Sequence, residues 1–219
     1  MSNNLRLTEE SFLQSMDIAI ENAKAQAQIA AALSKYKFGT DELDKGRVLL
    51  ESAKQSFHNN SKETVESKNA YRLFSEKREL LHSEFVSYRN IAKVIFRKDP
   101  NIVDLLSLTG AIPEAYATWL EYVKRFYKNS LTNETVTAGF VDFGITTEAL
   151  TQASENLTAV EDLRRDYMRE RGESQDATKL KDESFQKAEE WLSDFFFVAR
   201  IALADNLQLL ESLGKVVKS

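Results

Sequence analysis

Tyr36-Lys-Phe-Gly-Thr-Asp-Glu-Leu43 returns later in the chain as Val141-Asp-Phe-Gly-Ile-Thr-Thr-Glu-Ala-Leu150, with Phe38 matching Phe143 and Gly39 matching Gly144. In each copy a glycine is followed by threonine and acid, the order in which one helix stops and another starts. Gly39 and Gly144 are placed to cap a helix C-terminus in the left-handed conformation. Thr40 and Thr146 are placed as N-caps, and Asp41, Glu42 and Glu148 fall in the next first turn, where the helix dipole favours a negative charge. The motif predicts an αα-hairpin junction, made twice.

Outward from these junctions the similarity continues. Tyr88-Arg-Asn-Ile-Ala-Lys-Val-Ile95 matches Phe195-Phe-Phe-Val-Ala-Arg-Ile-Ala202, aligning Ala92 with Ala199 and Lys93 with Arg200. Asp99-Pro-Asn-Ile-Val-Asp-Leu-Leu-Ser-Leu-Thr-Gly110 then matches Asp205-Asn-Leu-Gln-Leu-Leu-Glu-Ser-Leu-Gly214, without the proline. Three blocks in one order define an internal repeat, the feature that decides a fold before any local detail. The boundary falls near residue 110, giving repeats 1–110 and 111–219 of a single domain, 1–219. Both prolines, Pro100 and Pro113, lie at this join, and Pro113-Glu114 suits the first turn of a helix.

Between each junction and repeat ending, apolar residues recur at threes and fours: Leu50, Ala53, Phe57, then Tyr71, Phe74, Leu81, Phe85, Tyr88, Ala92 and Ile95. The second repeat carries its stripe from Leu157 and Val160 to Phe185 and Leu192. Mid-stretch the stripe turns polar, at Asn60, Thr64 and Ser67 and at Arg171, Ser174 and Thr178, but its phase is kept. This predicts two antiparallel helices of about 58 to 65 residues with a polar mid-layer, Arg171 buried within it if it fixes register. The alternative is a pair of folded-back three-helix units with turns at His58–Ser61 and Arg171–Ser174, for which Gly172 speaks. Shorter helices, about 8–37 and 113–141, would each cover half of the long pair. The first has a small face, Ala19, Ala23, Ala27 and Ala30; the second carries Tyr116, Leu120, Val123 and Tyr127 with Trp119 and Phe126 alongside.

Composition agrees. Only 7 Gly and 2 Pro among 219 residues leave little room for the turns of a sheet fold, while 42% hydrophobic residues suffice for a core. The fold class expected is all-α: an elongated antiparallel helical bundle of two tandem helix–turn–long-helix repeats with pseudo-twofold symmetry. A formal net charge of −5 gives nucleic-acid binding no electrostatic support. The absence of cysteine excludes disulfides, thiolate metal sites and cysteine nucleophiles, and fits a reducing compartment. Thr8-Glu-Glu10 reads as a helix start, not part of a signal peptide, and Arg200 breaks the most apolar stretch, Phe195–Ala204, short of a membrane span. A cytoplasmic location is expected. The Asn-x-Ser/Thr triplets at Asn59, Asn133 and Asn156 are then chance matches.

The repeat endings, Ala199-Arg-Ile-Ala-Leu203 and Leu209-Leu-Glu-Ser-Leu-Gly214, with Trp191-Leu-Ser-Asp-Phe195 before them, resemble a group of uncharacterised bacterial two-repeat helical proteins. The first repeat departs from the pattern, with Asp99-Pro-Asn101 and no tryptophan at the place of Trp191. The resemblance implies the helical fold and no particular activity.

The one catalytic or metal-binding pattern is Glu79-Leu-Leu-His82, a carboxylate and an imidazole one helical turn apart, as in di-iron bundles. Such a centre needs a second Glu-x-x-His. The other histidine, His58, follows Gln55, and the repeat counterparts of Glu79 and His82 are Gln186 and Glu189. Glu79 and His82 are therefore weak candidate metal ligands; no catalytic residue, no cofactor-binding residue and no cofactor are expected. Gly-rich phosphate loops, nucleophile elbows and His-Glu-x-x-His are absent. Carboxylates mostly alternate with Lys and Arg, as in Glu161–Arg165, in the manner of solvated pairs on helix faces. Of Phe195, Phe196 and Phe197, one must point away from the seam. The function expected is that of a non-enzymatic helical-bundle protein acting through protein–protein contacts or self-association; the alternative is a binding module holding an apolar ligand or a metal inside the bundle.

Overall fold

The computed structural model describes residues 8–214. Of these 84% are helical, and none forms a strand. The helices are α1 (Glu9–Ala25), α2 (Ala27–Ser34), α3 (Thr40–Ile95), α4 (Pro100–Leu105), α5 (Tyr116–Thr132), α6 (Glu134–Asp142), α7 (Thr147–Ala202) and α8 (Gln208–Ser212).

Both long helices, α3 and α7, are 56 residues and unbroken. The turns considered at 58–61 and 171–174 do not form; Gly172 lies within α7. The kept phase of the apolar stripe is the reason, since each side chain that the stripe buries continues the helix one turn further. The chain nonetheless divides into two compact units. One joins residues up to Val65 with those from Gly172 onward, and the other is Glu66–Arg171. The first unit thus holds α1, α2, α8, the beginning of α3 and the end of α7. The second holds α4, α5, α6, the end of α3 and the beginning of α7.

In the first unit the two long-helix segments run antiparallel: Gly46 faces Trp191, Ser56 bonds Ser184, and Thr178 Oγ1 donates to Asn60 Oδ1 at 2.9 Å. The last contact joins two of the polar positions on the stripe. Arg171, by contrast, is exposed, at the end of the second unit, and not part of a buried layer. The first unit's core packs Met16, Ala19, Ile20 and Ala23 of α1 and Ile29 and Leu33 of α2 against Leu50, Ala53, Leu192, Phe195 and Ala199. The second core is more aromatic, with Phe85, Trp119, Phe126, Tyr127 and Phe140 among Leu81, Ala92, Leu157 and Val160.

Each of the shorter helices expected over 8–37 and 113–141 is two helices. Gln26 (φ −95°, ψ 106°) separates α1 from α2, and Asn133 (φ −101°, ψ 111°) separates α5 from α6. Asn133 caps the new helix, its Oδ1 accepting from Val136 N–H at 3.1 Å. Before each break an asparagine reaches a short helix of its own unit: the amide of Asn22 donates to Ser212 O of α8, and that of Asn129 to Leu105 O of α4. The break ends the small face of α1, so Ala19 and Ala23 are buried whereas Ala27 is exposed. At 111–115 the chain is not helical; Pro113 precedes α5, and it is Pro100 that opens a helix, with Asp99 as the cap of α4.

The junctions also differ in detail from the expectation. Gly144 has φ 82°, as a left-handed cap requires, but in the first junction Lys37 (φ 64°) holds that position and Gly39 does not. The bonds identify the match: Phe38 N–H to Leu33 O (3.1 Å) and Ile145 N–H to Phe140 O (3.0 Å) close the same Schellman loop. The structural counterpart of Gly144 is therefore Lys37, and the alignment of Gly39 with Gly144 is out of register by two positions. Thr146 Oγ1 accepts from Ala149 N–H at 3.2 Å and is an N-cap, whereas Thr40 already lies inside α3. Ser107 (φ 53°) and Gly214 (φ 84°) end α4 and α8 in the same way.

Candidate functional site

Along the end of α3 the stripe Leu81, Phe85, Arg89, Ala92 and Phe96 is buried. Arg78 and His82, one turn apart, flank it and meet the start of α5. There Trp119, fully buried, donates its Nε1–H to His82 Nδ1 at 3.0 Å. The Arg78 guanidinium lies 5.0 Å from the centroid of the same indole, and its Nη2 donates to Glu114 O at 3.2 Å. These residues, with Ser75, Glu79, Ile112 and Pro113, line a cleft of about 370 Å³ in the second unit, within the size range of small-molecule sites.

Of the two sequence candidates, His82 is thus half-buried with one ring nitrogen engaged, and Glu79 is exposed on the rim. Among the described residues neither belongs to a group of three or more His and carboxylate ligand atoms close enough to share an ion. The larger groove of the first unit, about 830 Å³ between α3 and α7, is lined by charges of both signs, including Lys62, Glu173, Asp176 and Lys187.

Sequence reasoning missed two arginines. Arg164 lies 5.1 to 5.4 Å from the ring centroids of Tyr116, Phe74 and Tyr167, a cation enclosed by aromatic faces. Arg89 is 4% exposed and makes no ion pair among the described residues. Instead Nε donates to Tyr122 Oη at 3.0 Å, and Nη2 faces the carbonyls of Leu108 (3.0 Å) and Gly110 (2.9 Å), with Ser107 and Thr109 slightly farther. The Tyr122 hydroxyl donates in turn to Ser107 O. Arg89 holds the segment between α4 and α5, and therefore the wall that carries Ile112 and Pro113. Its place on the stripe, four residues after Phe85 and three before Ala92, was the available signal.

The aromatic clusters are mostly core. Phe195 is fully buried and Phe197 is 66% exposed, so one of the three consecutive phenylalanines does turn outward. Tyr127 is fully buried, in ring contact with Phe85, Tyr88 and Phe126, and its hydroxyl has no partner. Burial, reinforced by the Glu84 carboxylate, pushes this phenol far up and keeps it protonated. An unsatisfied buried hydroxyl costs about 1–3 kcal/mol. Tyr127→Phe is accordingly expected to leave stability unchanged or raise it by up to about 1 kcal/mol in urea unfolding. A loss above about 1 kcal/mol would mean that the hydroxyl is bonded after all.

Among the described residues no helix is long and apolar enough to cross a membrane. No protein-family model, curated protein or solved structure matches the chain.

Proposed function

We propose that this chain is a non-enzymatic helical-bundle protein that acts through protein–protein contacts or self-association. The supporting observation is a stripe on α3 in the second unit. Leu73, Leu80 and Val94 occupy one heptad position and are 46%, 70% and 58% exposed, on a face that the unit's own core does not use. Side chains repeated at multiples of seven residues form the narrow apolar seam along which helices associate. Arg72, Glu76, Lys77 and Lys93 border it, as charges border such a seam.

The two-repeat, pseudo-symmetric construction belongs to the same proposal. Its support is the recurrence, at one constant offset, of the helix breaks Gln26 and Asn133, of the asparagines Asn22 and Asn129, and of the starts of α3 and α7. A cytoplasmic setting accords with the lack of cysteine.

Sedimentation velocity over a concentration series tests the contact reading. Wild-type protein is expected to associate, and Leu73→Glu/Leu80→Glu to sediment as a monomer with an unchanged circular dichroism spectrum. A wild-type monomer at every concentration that also recovers no partner from native cells would refute the reading.

The second reading, a binding module with an apolar ligand or a metal in the bundle, draws on the aromatic core and Glu79/His82. The cleft beside His82 favours a ligand at the edge of the bundle over one in its interior.

A further inference from the structure

The geometry points to the cleft of Arg78, His82 and Ser75 as a binding site for a small organic monocarboxylate with an apolar body. This goes beyond the contact reading and does not depend on it.

The donors come first. An indole N–H can only donate, so the His82 nitrogen that receives it, Nδ1, carries a lone pair, and in the neutral ring the proton is on Nε2. Nε2 has no partner among the described residues and is not sealed from solvent. It is an N–H donor fixed in direction by Trp119, in the way a second partner sets the tautomer of a functional histidine.

Arg78 supplies the charge. One of its nitrogens is engaged by Glu114 O, the guanidinium lies over Trp119, and no carboxylate of the described residues pairs with it. A planar guanidinium so held keeps its remaining N–H groups in the fork that suits a carboxylate. Ser75 adds a hydroxyl, and Ile112 and Pro113 supply an apolar wall.

The acids limit the ligand's charge. Glu79 and Glu114 line the same cleft, so one cation and one neutral donor face two nearby carboxylates. The two carboxylates disfavour a phosphate dianion, and a monocarboxylate is held against them by direct pairing with the Arg78 guanidinium.

The corresponding place in the first unit shows what the fold needs there without a ligand. Phe12 and Phe185, the repeat counterparts of Trp119 and Arg78, meet ring to ring at 5.7 Å, and Phe185 is buried. Solid aromatic packing serves the helices there, so the arginine, histidine and cleft of the second unit are not demanded by the architecture.

The chain has two tryptophans, one in each unit, so two indole N–H resonances report separately. With phenylacetate as the probe, the Trp119 indole signal is expected to shift saturably, with a Kd on the order of 1 mM, as a ligand of this size permits. The Trp191 signal should stay in place. Phenylacetamide, the uncharged analogue, should bind at least about tenfold more weakly, as should Arg78→Gln, a factor of ten being about 1.4 kcal/mol. Arg78→Lys, which keeps the charge and loses the fork, should fall between. Urea unfolding of the variants with the midpoint of the wild type certifies the fold. No saturable shift of Trp119 in the wild type, equal binding of amide and carboxylate, or undiminished binding by a folded Arg78→Gln would each overturn the assignment.

Discussion

Arg89→Leu is expected to lower the stability of the second unit by about 2–4 kcal/mol, the cost of a charged donor's hydrogen bonds lost together with a buried acceptor left unpaired. The leucine fills much of the space, so the loss comes from polar groups left behind. The Leu108 carbonyl that now accepts from Nη2 would be buried without a donor, and the half-buried Tyr122 oxygen would lose the N–H that it accepts from Nε. Each such group costs about 1–3 kcal/mol when it cannot reach water. Ser107 O keeps the Tyr122 hydroxyl as a donor, and Thr109 and Gly110 are exposed, so the loss centres on the buried Leu108 carbonyl. Arg89→Lys keeps the charge but has one nitrogen in place of the fork, so a smaller loss of about 1–3 kcal/mol is expected. Urea unfolding of both variants checks the order. A loss below about 1 kcal/mol in Arg89→Leu would mean that water replaces the guanidinium.

Gly46→Ala gives the second largest effect, with a sign opposite to that of helix propensity. In the middle of a helix this exchange ordinarily stabilises by about 0.5–1 kcal/mol. Here a Cβ would fall 2.3 Å from the ring of Trp191, a contact no side chain tolerates. The indole cannot simply move aside: it stacks on Phe195 at 5.4 Å and its Nε1–H reaches Glu42 Oε1 at 3.3 Å. Overpacking of this kind costs about 1–3 kcal/mol, so the net expectation is a loss. The companion measurement is Gly46→Ala in a Trp191→Leu background, where the methyl should become neutral or favourable. A stabilising Gly46→Ala in the wild-type background would refute the close packing.

Much of this fold was legible because it is written in short-range terms. The scarcity of Gly and Pro excluded sheets, and the phase of the stripe through Asn60 and Thr64 foretold the unbroken α3. Thr146 was recognisable as a cap because an N-cap needs only its own side chain and the backbone three residues on. The breaks were not equally legible. Asn133 is a residue type that caps helices, but Gln26 is not, and the extended conformation there accompanies contacts of Asn22 and Gln26 with Ser212, 190 and 186 residues away. The first junction misled because the eye follows glycine. The loop closes on Lys37, with the half-buried Phe38 and the 6→1 bond setting the register.

The candidate site divides along the same line. Glu79 and His82 were found from spacing on one helix, and Arg89 could have been found from its place among Phe85, Ala92 and Phe96. Trp119 and Glu114 come from 37 and 36 residues beyond His82 and Arg78, and nothing in the local pattern announces them. By itself the sequence determined the helical class, the approximate places where the long helices start and most of the residues that face a core, since these depend on backbone preferences and periodicity within a few turns. Only the tertiary structure decided which partner each polar side chain meets: that His82 accepts from an indole, that Arg89 is caught by carbonyls, and that Arg78 is left without a carboxylate. Those outcomes depend on the approach of distant segments, where a shift of one helical position would exchange every partner while leaving the pattern of apolar residues intact.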